Sequence, residues 1–384
     1  MGRQIAVFDY KIIATNPIGG CHLRMVQGLC QEHDFTVFAV EFDNPCPEHI
    51  RFVRIPAPQR PLALLFLMYH LLTPLYAMVH RLRYGTCFNL RQFVESNLSF
   101  GDISYSQFCH RAYLRQHWQA THTRGLRGVL RWLDHRLHAC AEPWVYWRAR
   151  RIIVPSQGLA RELVKEYPFT EGKIHILPNP VDLEQFQPSQ TFNRASFRQH
   201  LGLDTQDIVL VFIALGHFER KGLPLLLDAL RQVNEPRLKL LLVGGETNLI
   251  AAYRARVSQM DLQNRVIFAG MQPDVRPYLW AADAFAFPSF YEVFPLVSLE
   301  AAASALPLIV TPLYGVEEFI RDGENGILVE RTPEGIRRGI ERFLALPLEA
   351  RGAMGKQARL DMEQYGTERF VEGWRAFYKD QTLG

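Results

Sequence analysis

Short runs of apolar residues recur along the chain, each bounded by turn-forming residues and separated from the next by a helix-length segment. Strands that alternate with helices in this way are typical of βαβ units, which build parallel sheets. The run 238–243 is apolar at almost every position, as expected of a strand that is covered on both faces. The predicted strands are 5–8, 35–40, 52–55 and 152–154 in the first half of the chain, and 208–214, 238–243, 266–268, 284–287 and 308–310 in the second.

Two α/β domains are the expected architecture, because 384 residues exceed the usual size of one domain. The segment 177–188 (LPNPVDLEQFQP) is the predicted linker, since proline lacks an amide donor and resists helix formation. Segments 333–348 and 366–379 are predicted to form closing helices. Hydrophobic residues make up 48 % of the chain and charged residues 21 %, which indicates a packed globular protein rather than a disordered one.

The segment 61–79 (PLALLFLMYHLLTPLYAMV) has no formal charge over its whole length, and its length reaches that of a transmembrane span. Pro74 and His70 lie inside it, and arginines flank both of its ends instead of favouring one side. A buried or half-buried helix is the favoured interpretation. An in-plane helix at a membrane surface and a true span remain open alternatives.

Charge is distributed unevenly between the two halves. Residues 1–150 contain 17 Lys and Arg against 10 Asp and Glu, whereas residues 151–384 contain 26 against 29. Arginine next to tryptophan suits a surface that meets phosphates at an apolar boundary, so an anionic membrane surface is the favoured partner and nucleic acid is not expected. A solvated helix face with ordinary packing tryptophans and no partner remains the alternative. The residues that carry this pattern are Arg111, Arg115, Arg124, Arg127, Arg131, Arg136, Arg148 and Arg150, with Trp118, Trp132, Trp144 and Trp147.

The cysteines and the N-terminus point to the cytoplasm. The six cysteines lie within the first 140 residues at irregular gaps and without a Cys-x-x-Cys pair, so neither a zinc site nor a redox motif is indicated. The N-terminal residues lack the apolar run of a secretory signal. We therefore expect reduced thiols in a cytoplasmic protein, peripheral at the inner face of the membrane if the basic half binds lipid.

Three short elements are candidates for a phosphate or sugar site. Glu292 and Glu300 frame a predicted helix start at Pro295, where the amides of Leu296 and Val297 would point outward as an anion site. Gly19-Gly20 precedes a predicted helix that begins near His22, again where a phosphate could approach the backbone closely. Arg220-Lys221-Gly222 follows a predicted strand, and its two cations could neutralise a diphosphate.

Several motifs are absent from the sequence. It contains no Gly-x-x-x-x-Gly-Lys-Ser/Thr loop and no Gly-x-Gly-x-x-Gly after the first strand, which argues against a P-loop phosphotransferase and a dinucleotide dehydrogenase. It also contains no Asp-x-Asp and no His-Glu-x-x-His. A metal-dependent mechanism therefore has no obvious ligand set, and no metal or other cofactor is expected.

Taken together, these residues resemble the family 4 retaining glycosyltransferases of the GT-B fold. The resemblance is carried by residues 288–311 (PSFYEVFPLVSLEAAASALPLIVT), by 322–329 (DGENGILV) and by Arg220-Lys221-Gly222. The segment 176–182 and Gly19-Gly20 resemble the family's domain entry and N-terminal phosphate loop. The match is specific over most of residues 150–380 and holds in outline before them.

The resemblance implies an α/β, GT-B architecture of two facing Rossmann-like domains with a central cleft. Residues 1–185 would be the acceptor-side domain and 186–365 the donor-binding domain, while residues 366–384 would form a helix that crosses back to the first. The implied donor is a nucleotide sugar, most commonly a UDP-sugar in this family. The implied acceptor is a polysaccharide or a lipid-linked saccharide.

The resemblance also implies roles for individual residues. Glu292 would contact the hydroxyls of the donor sugar, Glu300 the ribose, and backbone groups from Phe294 to Val297 the sugar and β-phosphate. Lys221 would neutralise the leaving diphosphate from an exposed position in the cleft. Arg220 would replace an arginine of the family pattern that is Leu215 here. The remaining implied catalytic residue is His110, near the sugar on the N-terminal side.

The expected activity is thus retaining, metal-independent sugar transfer, with fixed cations and helix amides stabilising the leaving group. Two alternatives remain: a GT-B protein that binds nucleotide sugars without turnover, and another GT-B enzyme such as an epimerase.

Overall fold

The computed structural model describes residues 2–121 and 125–381, which form two compact units. The first unit contains the chain up to Pro180 together with the segment from Thr367 onward, and the second contains Val181–Gly366. The sequence placed the boundary at 185/186, which falls inside the short helix Leu183–Phe186. Asn179, just before the observed boundary, is buried and hydrogen-bonded to Tyr105 and Gln107 in the first unit.

The first unit is built on a seven-stranded parallel sheet in the order β5-β3-β1-β6-β7-β8-β9. Its central strands are almost wholly buried, as expected of a sheet with helices on both faces. Strands β2 and β4 form a separate two-stranded parallel ladder. In chain order the strands are β1 Gln4–Phe8, β2 Lys11–Ile12, β3 Asp34–Ala39, β4 Glu41–Phe42, β5 Ile50–Arg54, β6 Leu90–Val94, β7 Ile103–Tyr105, β8 Arg151–Val154 and β9 Ile174–Ile176.

The helices of the first unit vary widely in length. The last of them returns from the second unit and packs on helix Pro17–Leu29, where Gly28 allows Val371 to approach closely. The helical segments are Pro17–Leu29, Leu62–Tyr84, His110–Ala112, Tyr113–His117 (a π-turn), Trp118–Thr121, Leu126–Arg148, Gln157–Glu166, Pro168–Thr170 (a 3₁₀ turn) and Thr367–Asp380.

The apolar segment near residue 61 forms the long helix Leu62–Tyr84, which buries one face and is less buried than the sequence predicted. Among the described residues it is the one helix long and apolar enough to cross a membrane, and 28 % of its most apolar stretch is buried. Its inner face is tied to the sheet, because the Tyr69 hydroxyl donates a hydrogen bond of 2.7 Å to the Phe38 carbonyl in β3. The opposite face is exposed over most of the helix length.

The second unit is a six-stranded parallel sheet in the order β12-β11-β10-β13-β14-β15. Strands β11 and β12 add to one side of β10, and β13 to β15 add to its other side. The strand order therefore reverses between β10 and β13, which are neighbours although two strands separate them in sequence. The strands are β10 Ile208–Ile213, β11 Leu238–Val243, β12 Val266–Gly270, β13 Ala284–Phe287, β14 Leu308–Val310 and β15 Gly326–Leu328.

Helices cover the second sheet, and several begin with recognisable caps. Thr332 and Asn193 each accept a hydrogen bond from the backbone amide three residues onward, which satisfies an otherwise unpaired helix donor. The helices are Leu183–Phe186, Arg194–His200, Leu223–Gln232, Thr247–Gln259, Arg276–Ala281, Leu296–Ala303, Pro333–Ala345 and Leu348–Asp361, with 3₁₀ turns at Val316–Glu318 and Met362–Tyr365.

The six cysteines are all free thiols. Three of them are buried, and the Sγ atoms of Cys30 and Cys46 lie 2.8 Å apart. Burial and the hydrogen bond to Cys46 raise the pKa of Cys30 to about 12, so this thiol stays protonated at neutral pH.

Candidate functional site

The strand order of the second unit brings two distant segments together. In open parallel sheets ligands bind outside the carboxyl ends of the strands, at the point where the strand order reverses. Here that point lies between β10 and β13. Arg220 and Lys221 are on the loop after β10, and Glu292 is on the loop after β13.

The Glu292 carboxylate is the centre of this site. Its Oε1 atom accepts hydrogen bonds from Lys221 Nζ at 2.5 Å, from Ser289 Oγ at 2.8 Å and from Arg220 Nη1 at 3.1 Å. The Arg220 guanidinium also donates to the Tyr291 carbonyl at 2.6 Å. Two cations and one carboxylate are therefore held within a single hydrogen-bonded cluster.

Lys221 is less exposed than the sequence predicted. Its side chain is 16 % exposed and that of Glu292 12 %, so the pair is largely removed from water. The expectation of an exposed lysine was wrong, because Lys221 folds back onto the carboxylate. Leu215, by contrast, is 65 % exposed, and Arg220 supplies the guanidinium of the site.

Burial and charge act in opposite directions on the two partners. Burial alone would raise the pKa of Glu292, but the charges of Lys221 and Arg220 outweigh it and hold that pKa below its usual value. Burial lowers the pKa of Lys221, although Glu292 opposes the shift. The cluster thus favours the ionised form of the Glu292 carboxylate, and it makes the Lys221 ammonium group more acidic than a lysine in water.

Gly222 explains how the two loops come so close. Its φ of +84° lies in the left-handed region, and a Cβ atom built on it would stand 2.0 Å from the Pro288 carbonyl oxygen. Only glycine fits a backbone at this distance in this conformation. The approach is fixed by a further hydrogen bond from the Phe290 amide to the Arg220 carbonyl at 2.8 Å. Thr311 Oγ1, just after β14, donates to the Ser289 carbonyl at 2.7 Å and holds the loop after β13 from its other side.

The helix that follows begins where the sequence predicted. Helix Leu296–Ala303 has Pro295 as its N-cap, so the amides of Leu296 and Val297 belong to its first turn and have no acceptor within the helix. These amides and the helix dipole favour a negative charge just beyond the helix start. Glu300 lies on the second turn, eight residues after Glu292, at a half-buried position.

Phe294 contributes to the site only through its backbone. Its side chain is buried, and Gly315 provides the space, since a Cβ atom there would lie 2.3 Å from the Phe294 ring. The Gly315 φ of +78° again requires glycine. A ligand at the helix start would therefore meet the main chain of residue 294 and not its ring.

A depression of about 380 Å³ lies at the same edge of the sheet. Ser289 and Thr311 line it, as does Arg331, whose guanidinium donates to the carbonyls of Pro288 and Glu219 at 3.2 Å each. The sequence reasoning did not select these three residues. Their position immediately after β13, β14 and β15 is the signal that could have identified them.

In the first unit the glycine pair is placed differently from the prediction. Gly19 and Gly20 lie inside helix Pro17–Leu29, not ahead of it, because Asn16 caps the helix. The Gly19 amide donates to the Asn16 side chain at 2.7 Å and the Gly20 amide to the Asn16 carbonyl at 2.6 Å. Gly19 is required by packing, since a Cβ atom there would stand 2.0 Å from the Lys11 carbonyl oxygen.

His110 belongs to a buried group of ionisable side chains after β6 and β7. Its Nε2 atom lies 3.2 Å from Glu95 Oε2 and its Nδ1 atom 2.9 Å from His135 Nδ1, while its ring stacks on His138 at 4.2 Å. Glu95, at the strand-order reversal between β1 and β6, was missed because β6 (LRQFV) contains two polar residues. Both ring nitrogens of His110 are engaged, so contact with a sugar would require it to exchange the Glu95 bond.

The charges around His110 favour its protonated form. Burial alone would lower the pKa of His110, but the hydrogen bond and charge of Glu95, together with Glu142 and Asp134, raise it. The pKa of His138 is held well below its usual range by burial and by His110 beside it. Within the stacked pair, the surroundings therefore favour the protonated form of His110 and the neutral form of His138.

Among the described residues, Glu95, His110 and His138 have donor atoms close enough together to hold a metal ion, all within 4.8 Å of one another. The two rings, however, are stacked with only 9° between their planes. Histidine binds a metal in the plane of its ring at about 2.0–2.1 Å, and no point lies in both of these planes at that distance. The observed arrangement fits a hydrogen-bonded cluster better than a metal centre.

Comparison with protein families identifies the chain. Residues 22–185 match the model of "Glycosyltransferase Family 4", and residues 193–361 match that of "Glycosyl transferases group 1". The chain belongs to the family 4 glycosyltransferases. The second match spans every residue of the Lys221–Glu292 cluster, and the first spans the His110 cluster up to His138.

Individual relatives of this family 4 chain share about a third or less of its residues over the matched part. The D-inositol 3-phosphate glycosyltransferase of Segniliparus rotundus is 30 % identical over 243 residues, which cover 61 % of this chain and 53 % of that protein. The match thus spans about half the length of the curated relatives.

Two solved structures resemble the family 4 chain over nearly its whole length and establish the GT-B fold. WaaG, a glycosyltransferase involved in lipopolysaccharide biosynthesis, has a TM-score of 0.77 at 18 % identity and covers 97 % of this chain and 99 % of its own. Anabaena HepE in complex with UDP-glucose has a TM-score of 0.73 at 16 % identity, with 98 % and 99 % covered.

Proposed function

We propose that this protein is a retaining, metal-independent glycosyltransferase of the hexosyltransferase class. It moves a sugar from a nucleotide sugar to a polysaccharide or lipid-linked saccharide. The observation that carries the proposal is the cluster of Lys221, Arg220 and Glu292 beside the start of helix Leu296–Ala303. Membership of the family supports the same reaction.

The arrangement of charges suits a departing diphosphate. Breaking the bond between the anomeric carbon and the phosphate adds negative charge to the nucleoside diphosphate and leaves an electron-poor sugar. Lys221, Arg220 and the first helix amides are held in position before the reaction, so they stabilise this charge without reorganising. Two fixed cations supply the countercharge that a divalent metal would otherwise provide.

Glu292 has a second task in this scheme. Without donor, its carboxylate binds Lys221 and Arg220. When the diphosphate takes these cations as partners, the carboxylate accepts hydrogen bonds from the sugar hydroxyls instead. Glu300, two turns into the helix, would bind the ribose, and His110 would act on the sugar from the first unit.

A UDP-sugar is the proposed donor, and the HepE structure with UDP-glucose supports this choice. The lipopolysaccharide role stated for WaaG supports a lipid-linked acceptor. We place the protein in the cytoplasm, peripheral at the inner face of the membrane where such acceptors are made.

Two measurements test the proposal. A thermal-shift screen with UDP-, GDP- and ADP-sugars identifies the donor, since a ligand at about 100 times its dissociation constant stabilises by ~2.7 kcal/mol. Release of nucleoside diphosphate upon adding acceptor then tests turnover, and NMR of the product tests retention at the anomeric carbon.

Lys221→Ala and Lys356→Ala form a matched pair of variants for these assays. Lys356 is exposed on helix Leu348–Asp361, so its removal should leave binding and turnover unchanged. Stabilisation by nucleotide sugars without product on any acceptor would indicate a protein that binds nucleotide sugars without turnover. Absence of stabilisation by every nucleotide sugar would reject the donor site itself.

A further inference from the structure

Helix Leu62–Tyr84 exposes an apolar stripe opposite its buried face. The stripe residues follow one another at steps of three or four, which aligns them along one side of a helix. Phe66, Tyr69, Thr73 and His80 are buried on the other side. The stripe residues are between 42 % and 78 % exposed: Leu64, Leu67, Leu71, Leu75, Met78 and Leu82. We call them the 62–84 stripe.

Helix Leu126–Arg148 packs against this helix and carries a second stripe. The two helices meet where the Phe66 ring lies 4.6 Å from the His138 ring. Glu142 and Tyr146 are fully buried on its inner side. On its outer side Leu126, Val129, Leu133, Trp144 and Trp147 are between 42 % and 75 % exposed, and we call them the 126–148 stripe.

Both helices carry exposed arginines and lack exposed acids. Helix Leu62–Tyr84 contains no Asp or Glu at all. Helix Leu126–Arg148 contains two, of which Asp134 is 13 % exposed and Glu142 is buried. Where side chains are described, the exposed arginines on the two helices are Arg81, Arg83, Arg136 and Arg148.

A depression of about 290 Å³ beside the 126–148 stripe adds a place for a phosphate. Arg111, Arg115 and Arg136 line it together with Cys140. All three charged residues that line it are arginines, and Glu166 pairs with two of them, Arg115 at 2.9 Å and Arg111 at 3.6 Å. Arg124, in the same basic stretch of sequence, lies outside the described residues.

We propose that both stripes lie in the plane of an anionic bilayer surface, with the leucines and tryptophans at the acyl boundary and the arginines among the headgroup phosphates. Apolar residues on one helix face with arginines beside them are the features of helices that bind in this way. The proposal deepens the proposed function, because it rests on that function for the lipid-linked acceptor and names the surface that would meet it.

The buried face of helix Leu62–Tyr84 distinguishes in-plane binding from a transmembrane span. Tyr69, in the first half of the helix, is hydrogen-bonded to β3, and Thr73 and His80 are buried on the same side. A span would expose these polar groups to lipid and break the Tyr69 bond. In-plane binding keeps them and covers only the exposed leucines.

Charge also distinguishes a bilayer from a second copy of the chain. Self-association through the stripes would bring the exposed arginines of two copies together without an exposed acid on either helix to pair with them. An anionic lipid surface supplies the opposite charge. The repulsion between like charges therefore favours the bilayer.

The test uses the full chain, without donor or acceptor, in co-sedimentation with vesicles. We expect binding to vesicles that contain phosphatidylglycerol, weaker binding to pure phosphatidylcholine, and a loss of affinity as salt is raised. Leu75→Ser with Leu82→Ser should weaken binding by at least about tenfold, since each removes most of an inserted leucine. The fluorescence of Trp144 and Trp147 should be quenched more by lipids brominated near the headgroup than by those brominated near the chain end.

The chain offers a matched control for the leucine pair. Leu75 and Leu82 are 53 % and 78 % exposed, and Leu360 and Leu348 in the second unit are 55 % and 76 % exposed. Leu348→Ser with Leu360→Ser should leave vesicle binding unchanged. Equal losses in the two double variants would overturn the proposal, as would failure of the protein to bind anionic vesicles.

Other outcomes identify a different occupant or orientation. A dimer in sedimentation velocity that Leu75→Ser with Leu82→Ser dissociates, without vesicle binding, would assign the stripes to a second copy. Strongest quenching near the bilayer centre would indicate a span and contradict in-plane binding. Vesicle binding in a protein that transfers no sugar would leave this proposal standing and reject the proposed function, whereas transfer to a detergent-solubilised acceptor without vesicle binding would do the reverse.

Discussion

Replacement of Lys221 by alanine is the most direct test of the donor site, because it should affect two measurable quantities for different reasons. Turnover should fall by about 10²–10³-fold, the scale for loss of one preorganised electrostatic donor. Stability should fall as well, because Glu292 loses a partner at 2.5 Å while only 12 % of its side chain is exposed. The exposed position that the sequence predicted for Lys221 would instead imply no effect on folding.

The loss of stability can be estimated from the contacts that remain. Arg220 at 3.1 Å and Ser289 at 2.8 Å still donate to the Glu292 carboxylate after the substitution. The carboxylate therefore keeps two of its three hydrogen-bond donors. We expect a decrease of about 1–3 kcal/mol in the free energy of unfolding, the range for a buried polar group that loses a partner.

A double-mutant cycle separates the two effects. Glu292→Gln added to Lys221→Ala removes the buried charge, so the double variant should recover at least half of the lost stability while turnover stays low. Urea unfolding followed by circular dichroism measures the first quantity, and release of nucleoside diphosphate the second. Normal turnover in Lys221→Ala would refute the leaving-group role, and a double variant no more stable than the single one would refute the charge argument.

Four further predictions concern Glu300, divalent metal, His138 and His110. Glu300→Ala should weaken free UDP and the complete donor alike in calorimetry, and a loss confined to the sugar-bearing donor would reject the ribose assignment. Excess chelator should leave turnover unchanged, and restoration of a lost activity by magnesium or manganese would reject metal independence. Burial lowers the pKa of His138, so only its unfolded form binds a proton below pH of about 6.5, and stability should fall on acidification less steeply in His138→Gln than in the wild type. For His110, burial would lower the pKa but Glu95 raises it, so the stability that its proton contributes is lost as pH rises above about 6.5. In melting curves recorded from pH 5 to 8, His110→Gln should therefore lose less stability than the wild type above this pH. Profiles of melting temperature against pH that coincide with the wild-type profile would contradict the assignments of both histidines.

The strands that the sequence predicted well are those that both faces of a sheet bury. Strands β11, β13 and β14 have the predicted bounds, because each is an uninterrupted or nearly uninterrupted apolar run. The missed strands are short or carry polar residues. In β6 Gln92 is buried by hydrogen bonding to Tyr378 and His22, a long-range compensation that local patterning does not reveal.

The same distinction applies to the candidate site. Lys221 and Glu292 were selected from local motifs, but their pairing across 71 residues depends on β10 and β13 being neighbours in the sheet. The glycine pair was misplaced because Asn16 was not recognised as the helix cap, although Asn followed by Pro is a strong helix-start signal. The surroundings of His110 come from three separate segments, so their combined charge became visible only in the folded chain.

The pairing of Lys221 with Glu292 also bears on how the proposed enzyme would release its product. A nucleoside diphosphate that takes Lys221 from Glu292 leaves a largely buried carboxylate with fewer partners, and only a donor that still carries its sugar offers hydroxyls in return. Once the sugar has been transferred, re-formation of the bond between Lys221 and Glu292 competes directly with the spent nucleotide. In the proposed mechanism the ligand-free contact would thus act as an internal competitor that shortens the residence time of the product more than that of the donor.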